Sequence, residues 1–281
     1  MSGQPRVGIV TDSTADIPSH LLGSLKIAMV PALLIVDGQT YVDGVDLTRE
    51  EFYRRLPSFN SPPTTASPSP IKFKEAYERL LTSGIENVLS IHISSKLSGI
   101  INAAHQAAQE FGDRVKIFDS QQLSLGLGYQ AIEAAVAALN GMSIEDVFER
   151  TLEIKKNVRL LALINSLEYL RRSGRVNWLQ ASMSELLQIK MLLTIKDGLV
   201  ESFGRARTFG HALDALRREA RSWAPMSQLT VMHSGIFERA YELAEELSAL
   251  SSSPPMKVNV TTVIGAHVGP GSLGIAGLPR L

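Results

Sequence analysis

Short apolar runs alternate with amphipathic stretches through the first half of the chain. Arg6 to Val10 reads as a strand that stops at Thr11-Asp12-Ser13-Thr14-Ala15-Asp16, and Asp16 is placed to cap a short helix with Pro18 in its first turn. Lys26 to Val36 is one long apolar run. The Asp37-Gly38 pair after it predicts a hairpin returning through Gln39 to Val42, because glycine tolerates positive φ. Thr48 and Glu51 have capping-box spacing and open a helix to about Leu56. Pro57 to Pro70, rich in Pro, Ser and Thr, is either a surface linker or a rigid loop presenting Thr64, Thr65 and Ser67. Ser69 and Pro70 then start a helix with Phe73, Tyr77, Leu80 and Leu81 on its inner face. Asn87 to Ile93 reads as a buried strand, Ile100 to Phe111 as a helix, and Val115 to Phe118 as a strand stopping at Asp119-Ser120. Gln122 to Asn140 and Ser143 to Lys156 are helices parted by Gly141. This alternation predicts a parallel sheet with helices on both faces, and its polar strand ends (Asp12-Ser13, Ser94-Ser95, Asp119-Ser120) belong on one edge.

The second half changes rhythm. Arg159 to Leu163 is a strand, a helix runs to Arg172 and stops at Gly174, and Asn177 to Leu187 has helical spacing. Gln188 to Ile195 and Leu199 to Arg205 flank Asp197-Gly198 as a hairpin. Thr208 to Trp223 is an amphipathic helix with Phe209, Ala212, Leu213, Leu216 and Ala220 inward. Leu229 to His233 reads as a strand, Phe237 to Leu250 as a helix, and Lys257 to Ile264 as the last clear strand. Hairpins between helices predict an α+β unit with a mostly antiparallel sheet. The expected fold class is therefore α/β, with a three-layer parallel-sheet domain over residues 1–157 and an α+β domain over 158–281.

Composition narrows the function. A chain of 281 residues is better served by two cores than one. With 28 basic and 28 acidic residues, no net field favours nucleic acid or an anionic membrane. Cysteine is absent, which removes disulfides, thiolate chemistry and Cys-ligated metal. The apolar region from Leu123 to Leu139 is interrupted by Gln130 and Glu133, so it reads as a buried helix and not a membrane span. The N-terminal run Val7 to Val10 is too short for a signal-peptide core. A soluble, cytoplasmic protein is expected.

Two stretches carry candidate chemistry. Ser94-Ser-Lys-Leu-Ser98-Gly99 lies between a strand and a helix, where unpaired N–H groups suit a carboxylate or phosphate; Ser98 either binds such a group or caps the helix. Gly265-Ala-His-Val-Gly-Pro-Gly-Ser-Leu-Gly274 sets four glycines around His267 in what reads as a loop open to a ligand. Its formal dinucleotide fingerprint fails, because only seven residues follow and no helix, strand and acidic residue can. Gly126-Leu-Gly128 matches as loosely inside a helix start, no P-loop is present, and Ser272 lacks the first glycine of a nucleophile elbow. No two histidines have His-x-x-x-His spacing, so neither metal nor cofactor is expected, and His92 and His105 read as structural.

Several segments taken in order resemble the DegV family. Ile9-Val-Thr-Asp-Ser-Thr-Ala-Asp-Ile-Pro18, Thr65-Ala-Ser-Pro-Ser69, Ile93-Ser-Ser-Lys-Leu-Ser-Gly99 and Gly265-Ala-His-Val-Gly-Pro-Gly271 are similar to its conserved stretches. Asp119-Ser120 with Ser124-Leu-Gly-Leu-Gly128, and Leu167-Glu-Tyr-Leu-Arg-Arg-Ser-Gly-Arg175, fit the same pattern. Ala66-Ser67, Ile100-Ile101 and Met191 depart from it. The resemblance implies a two-domain carrier of a long-chain fatty acid, in many bacteria a non-catalytic subunit of fatty acid kinase. Its partner would be an ATP-dependent kinase subunit that phosphorylates the bound carboxylate. Transient membrane contact is compatible with that role. Carried onto this chain, the resemblance assigns the carboxylate to Thr65, Ser98, Gly99 and His267, and gives Arg172 and Arg175 to the kinase or the phosphoryl group. The residue chemistry agrees, since a buried carboxylate needs hydrogen-bond donors of this kind. The same residues leave a rival open, a Ser/His esterase or acyltransferase using Ser98 and His267. A small-anion sensor at the helix N-terminus is a third reading.

Overall fold

The computed structural model describes residues 6–176 and 189–280, so the helix expected over Asn177 to Leu187 lies outside the described residues. In chain order the elements are β1 (Val7–Asp12), α1 (Ser19–Ser24), β2 (Ile27–Val30), β3 (Leu33–Val36), β4 (Gln39–Val42), α2 (Arg49–Arg55), β5 (Thr64–Ala66) and α3 (Pro70–Thr82). There follow β6 (Asn87–His92), α4 (Ile100–Ala108), β7 (Val115–Asp119), α5 (Ser124–Leu139), α6 (Ile144–Asn157), β8 (Arg159–Ile164) and α7 (Leu167–Ser173). The remainder comprises β9 (Lys190–Lys196), β10 (Leu199–Ala206), α8 (Phe209–Ser222), β11 (Met226–His233), α9 (Phe237–Glu246), β12 (Met256–Asn259), α10 (Thr262–Val268) and β13 (Leu273–Pro279).

The chain folds into two compact units, one of Met1–Ala32 with Ala66–Asn157, the other of Leu33–Thr65 with Val158–Leu281. A contiguous 1–157 domain therefore needs correcting, because residues 33–65 build part of the second unit. The cause is local. Pro31 has no N–H to continue a ladder, so the apolar run from Lys26 to Val36 becomes two strands. One of them, β2, pairs with β1, while β3 pairs with β4 in the other unit.

The first unit is a four-stranded sheet in the order β2-β1-β6-β7, every pairing parallel. Its strands read as unbroken apolar runs because both faces are covered, and Val7, Ile9, Val10, Val88, Leu89 and Ile91 are all buried. Asp16 does not cap the next helix. It adopts a left-handed conformation at φ 57° and accepts from Ser124 Oγ at 2.5 Å instead.

The second unit is a six-stranded sheet in the order β10-β9-β8-β13-β11-β12, with one parallel pairing, β11 to β12. A smaller sheet, β4-β3-β5, belongs to the same unit. Two sequence expectations fail at its C-terminal end. The strand begun at Met256 stops at Asn259, because Thr261 caps α10 by accepting from Ile264 N at 3.4 Å. The last strand is β13, which sits between β8 and β11. Its glycines hid it, yet a Cβ on Gly277 would lie 3.1 Å from Trp223 Cε3 and one on Gly274 3.0 Å from Met232 Cε. Small residues are what its neighbours allow. Among the described residues, no helix is long and apolar enough to cross a membrane.

Candidate functional site

His267 lies in the last turn of α10, not in a loop. Sequence reading took four nearby glycines for loop signals, but Gly265 answers a packing demand. A Cβ there would sit 2.8 Å from Phe52 Cε1, so only glycine lets α10 lie so close to α2. Asp43 Oδ1 anchors the helix start by accepting from Thr262 N at 3.2 Å and Thr262 Oγ1 at 2.7 Å. The position of the imidazole is thereby fixed by backbone packing at one end and a buried carboxylate at the other.

Within this unit the structure brings two of the expected residues together. Thr65 Oγ1 and His267 Nε2 are 2.9 Å apart. Successive side chains on a strand point to opposite faces, and on β5 Thr64 is exposed while Thr65 is half-buried. Burial, and secondly the charge of Arg175, push His267 down to about 4. The ring is therefore neutral at pH 7 and offers one donor and one acceptor. Arg175 thus belongs to the same neighbourhood. Beside these polar groups runs an apolar cluster of Ile164, Leu167, Leu170, Val176, Met191 and Leu193, against which Val268 packs. The residues next in sequence to His267 and Arg175 both enter it.

The two arginines part company. Gly174 ends α7 in a left-handed conformation, so Arg172 and Arg175 do not share a helix face. Arg172 is exposed and pairs with Glu168 at 2.5 Å, the ordinary i,i+4 bridge of a helix end. Arg175 Nη1 donates to Ser173 O at 2.5 Å.

Ser98 and Gly99 belong to the first unit. The Ser98 hydroxyl accepts from Ile100 N at 3.3 Å, so a local helix-start bond is present. The polar strand ends there are interlocked: Ser95 Oγ donates to Asp119 Oδ2 at 2.6 Å, and Ile93 N to Asp12 Oδ2 at 3.2 Å.

Sequence reasoning missed a four-residue network in that unit. Tyr77 Oη and Ser90 Oγ are 2.9 Å apart, Ser90 Oγ and His92 Nε2 2.7 Å, and His92 Nδ1 and Asp12 Oδ2 3.0 Å. A serine, histidine and aspartate in that sequence resemble a catalytic triad, but all three are fully buried. Burial also pushes the Tyr77 phenol up, which keeps it a neutral partner. The available signal was the Ser90-x-His92 spacing, which puts both side chains on one strand face.

The matches to known proteins decide the family. The model of the DegV family, described as an uncharacterised protein, matches residues 6–280. The chain belongs to the DegV family. A DegV domain-containing protein of Staphylococcus aureus is 32% identical over 276 residues, covering 97% of this chain and 98% of the relative. A solved DegV-family protein from Thermus thermophilus, described as fatty acid binding, has a TM-score of 0.87 at 34% identity and covers 98% of this chain and 100% of its own. DegV from Bacillus subtilis, described as a fatty acid binding protein, gives 0.86 at 32% identity, covering 98% and 99%. This structure joins the Thr65 and Gly265–Gly271 segments, both quoted for the family resemblance, through the Thr65–His267 contact.

Proposed function

We propose that this chain carries a long-chain fatty acid and presents its carboxylate to a separate, ATP-dependent kinase subunit in the cytoplasm. The observation that carries the reading is the Thr65–His267 pair at 2.9 Å, next to Arg175 and to an apolar cluster. A carboxylate replacing that contact would accept from the Thr65 hydroxyl and from the neutral His267 ring, with Arg175 as its counter-charge. Ser98 and Gly99 enter the proposal through the family resemblance. The fatty-acid-binding descriptions of the Thermus and Bacillus proteins support the ligand class.

Magnitudes divide the labour. Burying about 15 methylenes at about 0.8 kcal/mol each gives a gross gain near 12 kcal/mol. Each head-group hydrogen bond nets about 1–3 kcal/mol. The tail therefore sets affinity, and the polar residues fix which oxygen is presented. On this reading the chain has no complete catalytic centre of its own.

Native mass spectrometry of the purified protein tests the proposal. A co-purifying long-chain fatty acid is expected, and lipid-free protein should take up palmitate or oleate. Protein that does neither overturns the reading. Stoichiometric labelling of Ser98 by a fluorophosphonate probe would favour the esterase instead.

A further inference from the structure

The second unit contains a cleft of about 540 Å³ whose lining includes neither Thr65 nor His267. It opens where β11 ends and α9 begins, with β12 parallel alongside: His233 pairs with Asn259, the last residue of β12, and both line the cleft. This is a β-α-β arrangement, and the carboxyl ends of its parallel strands are where such units take ligands. The connection Ser234-Gly235-Ile236 is shaped for the purpose. Gly235 has φ 77°, and a Cβ on it would lie 2.9 Å from Tyr53 Cβ.

Four further observations specify the ligand. The helix start is uncapped: Ile236 makes no side-chain capping bond to α9, and its carbonyl takes the first helical bond, from Ala240 N at 3.2 Å. Donors of the first turn, beginning at Phe237, are therefore free for an anion. His233, 4% exposed, lines the cleft with a buried Nδ1 that has no hydrogen-bond partner. Arg54 and Lys257 line the cleft as cations together with the carboxylate Glu50, while Glu238 in the first turn of α9 and Arg49 add one charge of each sign close to His233. The Lys257 ammonium lies 4.6 Å over the Tyr241 ring, which holds it in place without neutralising it. Phe237, 55% exposed, leaves an aromatic face on the rim.

We propose that this cleft is a second binding site, for a small molecule bearing a phosphate group that sits at the start of α9 with Arg54 and Lys257 as its cations. Several first-turn backbone donors and two separate cations suit a tetrahedral, multiply charged group better than a flat carboxylate. A neutral imidazole adds one uncharged partner, able to accept from a protonated phosphate oxygen. The apolar or planar body of the ligand would lie on Phe237. Neither the fatty acid reading nor the Thr65 pair is needed for this site.

Titration calorimetry on the full chain, with inorganic phosphate and with adenosine monophosphate, tests the inference. Both should bind, with chloride at matched ionic strength as the blank. The exposed double variant Arg54→Ala with Lys257→Ala should weaken binding about tenfold or more. Glu50→Gln should tighten it, a change that a folding defect cannot produce. Thr65→Val should leave it unaltered. Absence of binding by both probes, equal affinity in the Arg54/Lys257 variant, or acetate binding as tightly as phosphate would each overturn the assignment.

Discussion

The two units hold a histidine each in a hydroxyl-containing network, and the networks are built to opposite ends. Around His92 every polar group faces another: Asp12 accepts from Thr14 N at 3.1 Å, from Thr14 Oγ1, from Ile93 N at 3.2 Å and from the imidazole itself. Around His267 the described residues supply one hydrogen bond, to Thr65, beside a cation and an apolar cluster. The first is a closed circuit with nothing left to offer a ligand. The second is a pair of neutral hydrogen-bonding groups that a carboxylate can enter. Residue types alone would rank them the other way, since the closed circuit has the serine, histidine and aspartate of a hydrolase. Access decides between them.

The sharpest way to break this contrast is to open the closed circuit. Asp12→Ala leaves buried donors on Thr14, His92 and Ile93 without their acceptor. Removing one partner of such a network should cost about 3 kcal/mol or more, read as a lower urea midpoint at unchanged slope. A loss under about 1 kcal/mol would mean that the circuit is not a structural keystone of the first unit.

Thr65→Val should behave in reverse. The hydroxyl is half-buried and its partner His267 stays neutral, so stability should change by less than about 1 kcal/mol. Fatty acid affinity should fall by about 1–3 kcal/mol, between fivefold and some hundredfold, with the tail's contribution intact. Unchanged affinity would remove Thr65 from the proposed carboxylate site. Ser98→Ala tests separately the residue whose role rests on the family resemblance.

How far the sequence spoke depended on which force was in charge. Local rules carried through: Asp197-Gly198 made its hairpin, Gly174 ended its helix, and Thr48 capped α2 by accepting from Glu51 N at 3.1 Å. Tertiary demands did not. The Gly265 region read as a loop because Gly265 serves Phe52 and Tyr53, residues more than 200 positions away along the chain, while Gly269 lies against Tyr169 and Gly271 against Asn165. Pro31 was visible, yet nothing in a linear pattern says that a strand break is also a crossing between units. The Thr65–His267 pair was reachable only through the family resemblance, since 202 residues separate the two side chains. The phosphate cleft carried no motif at all, because its donors are backbone N–H groups and its cations are scattered.

A pH titration probes the open histidines. His267 and His233 are each pushed down to about 4, burial being the first cause in both. Their unfolded values lie near 6.5, so the unfolded chain binds more protons below that pH. The stability that depends on their neutrality is complete above 6.5 and is lost as pH falls from 6.5 through 4. His267→Gln should flatten part of this acid limb and His233→Gln another part, in thermal melts at stepped pH. Acid limbs unchanged by both substitutions would show that neither ring is held neutral.

The smallest expected effect separates the two arginines. Arg175 contributes to the depression of His267, whereas Arg172 is paired with Glu168 on the surface of α7. Arg175→Gln should therefore raise the His267 titration, followed by imidazole NMR, while leaving it below 6.5 because burial persists. Arg172→Gln should leave that titration in place and cost under about 0.5 kcal/mol of stability, as exposed i,i+4 pairs do. An equal rise in both variants would mean that the His267 ring responds to net charge and not to a neighbouring guanidinium, and Arg175 would lose its claim to be the counter-charge of a bound carboxylate. A rise confined to Arg175→Gln, reversed by loading the protein with fatty acid, would tie cation, imidazole and ligand into one site.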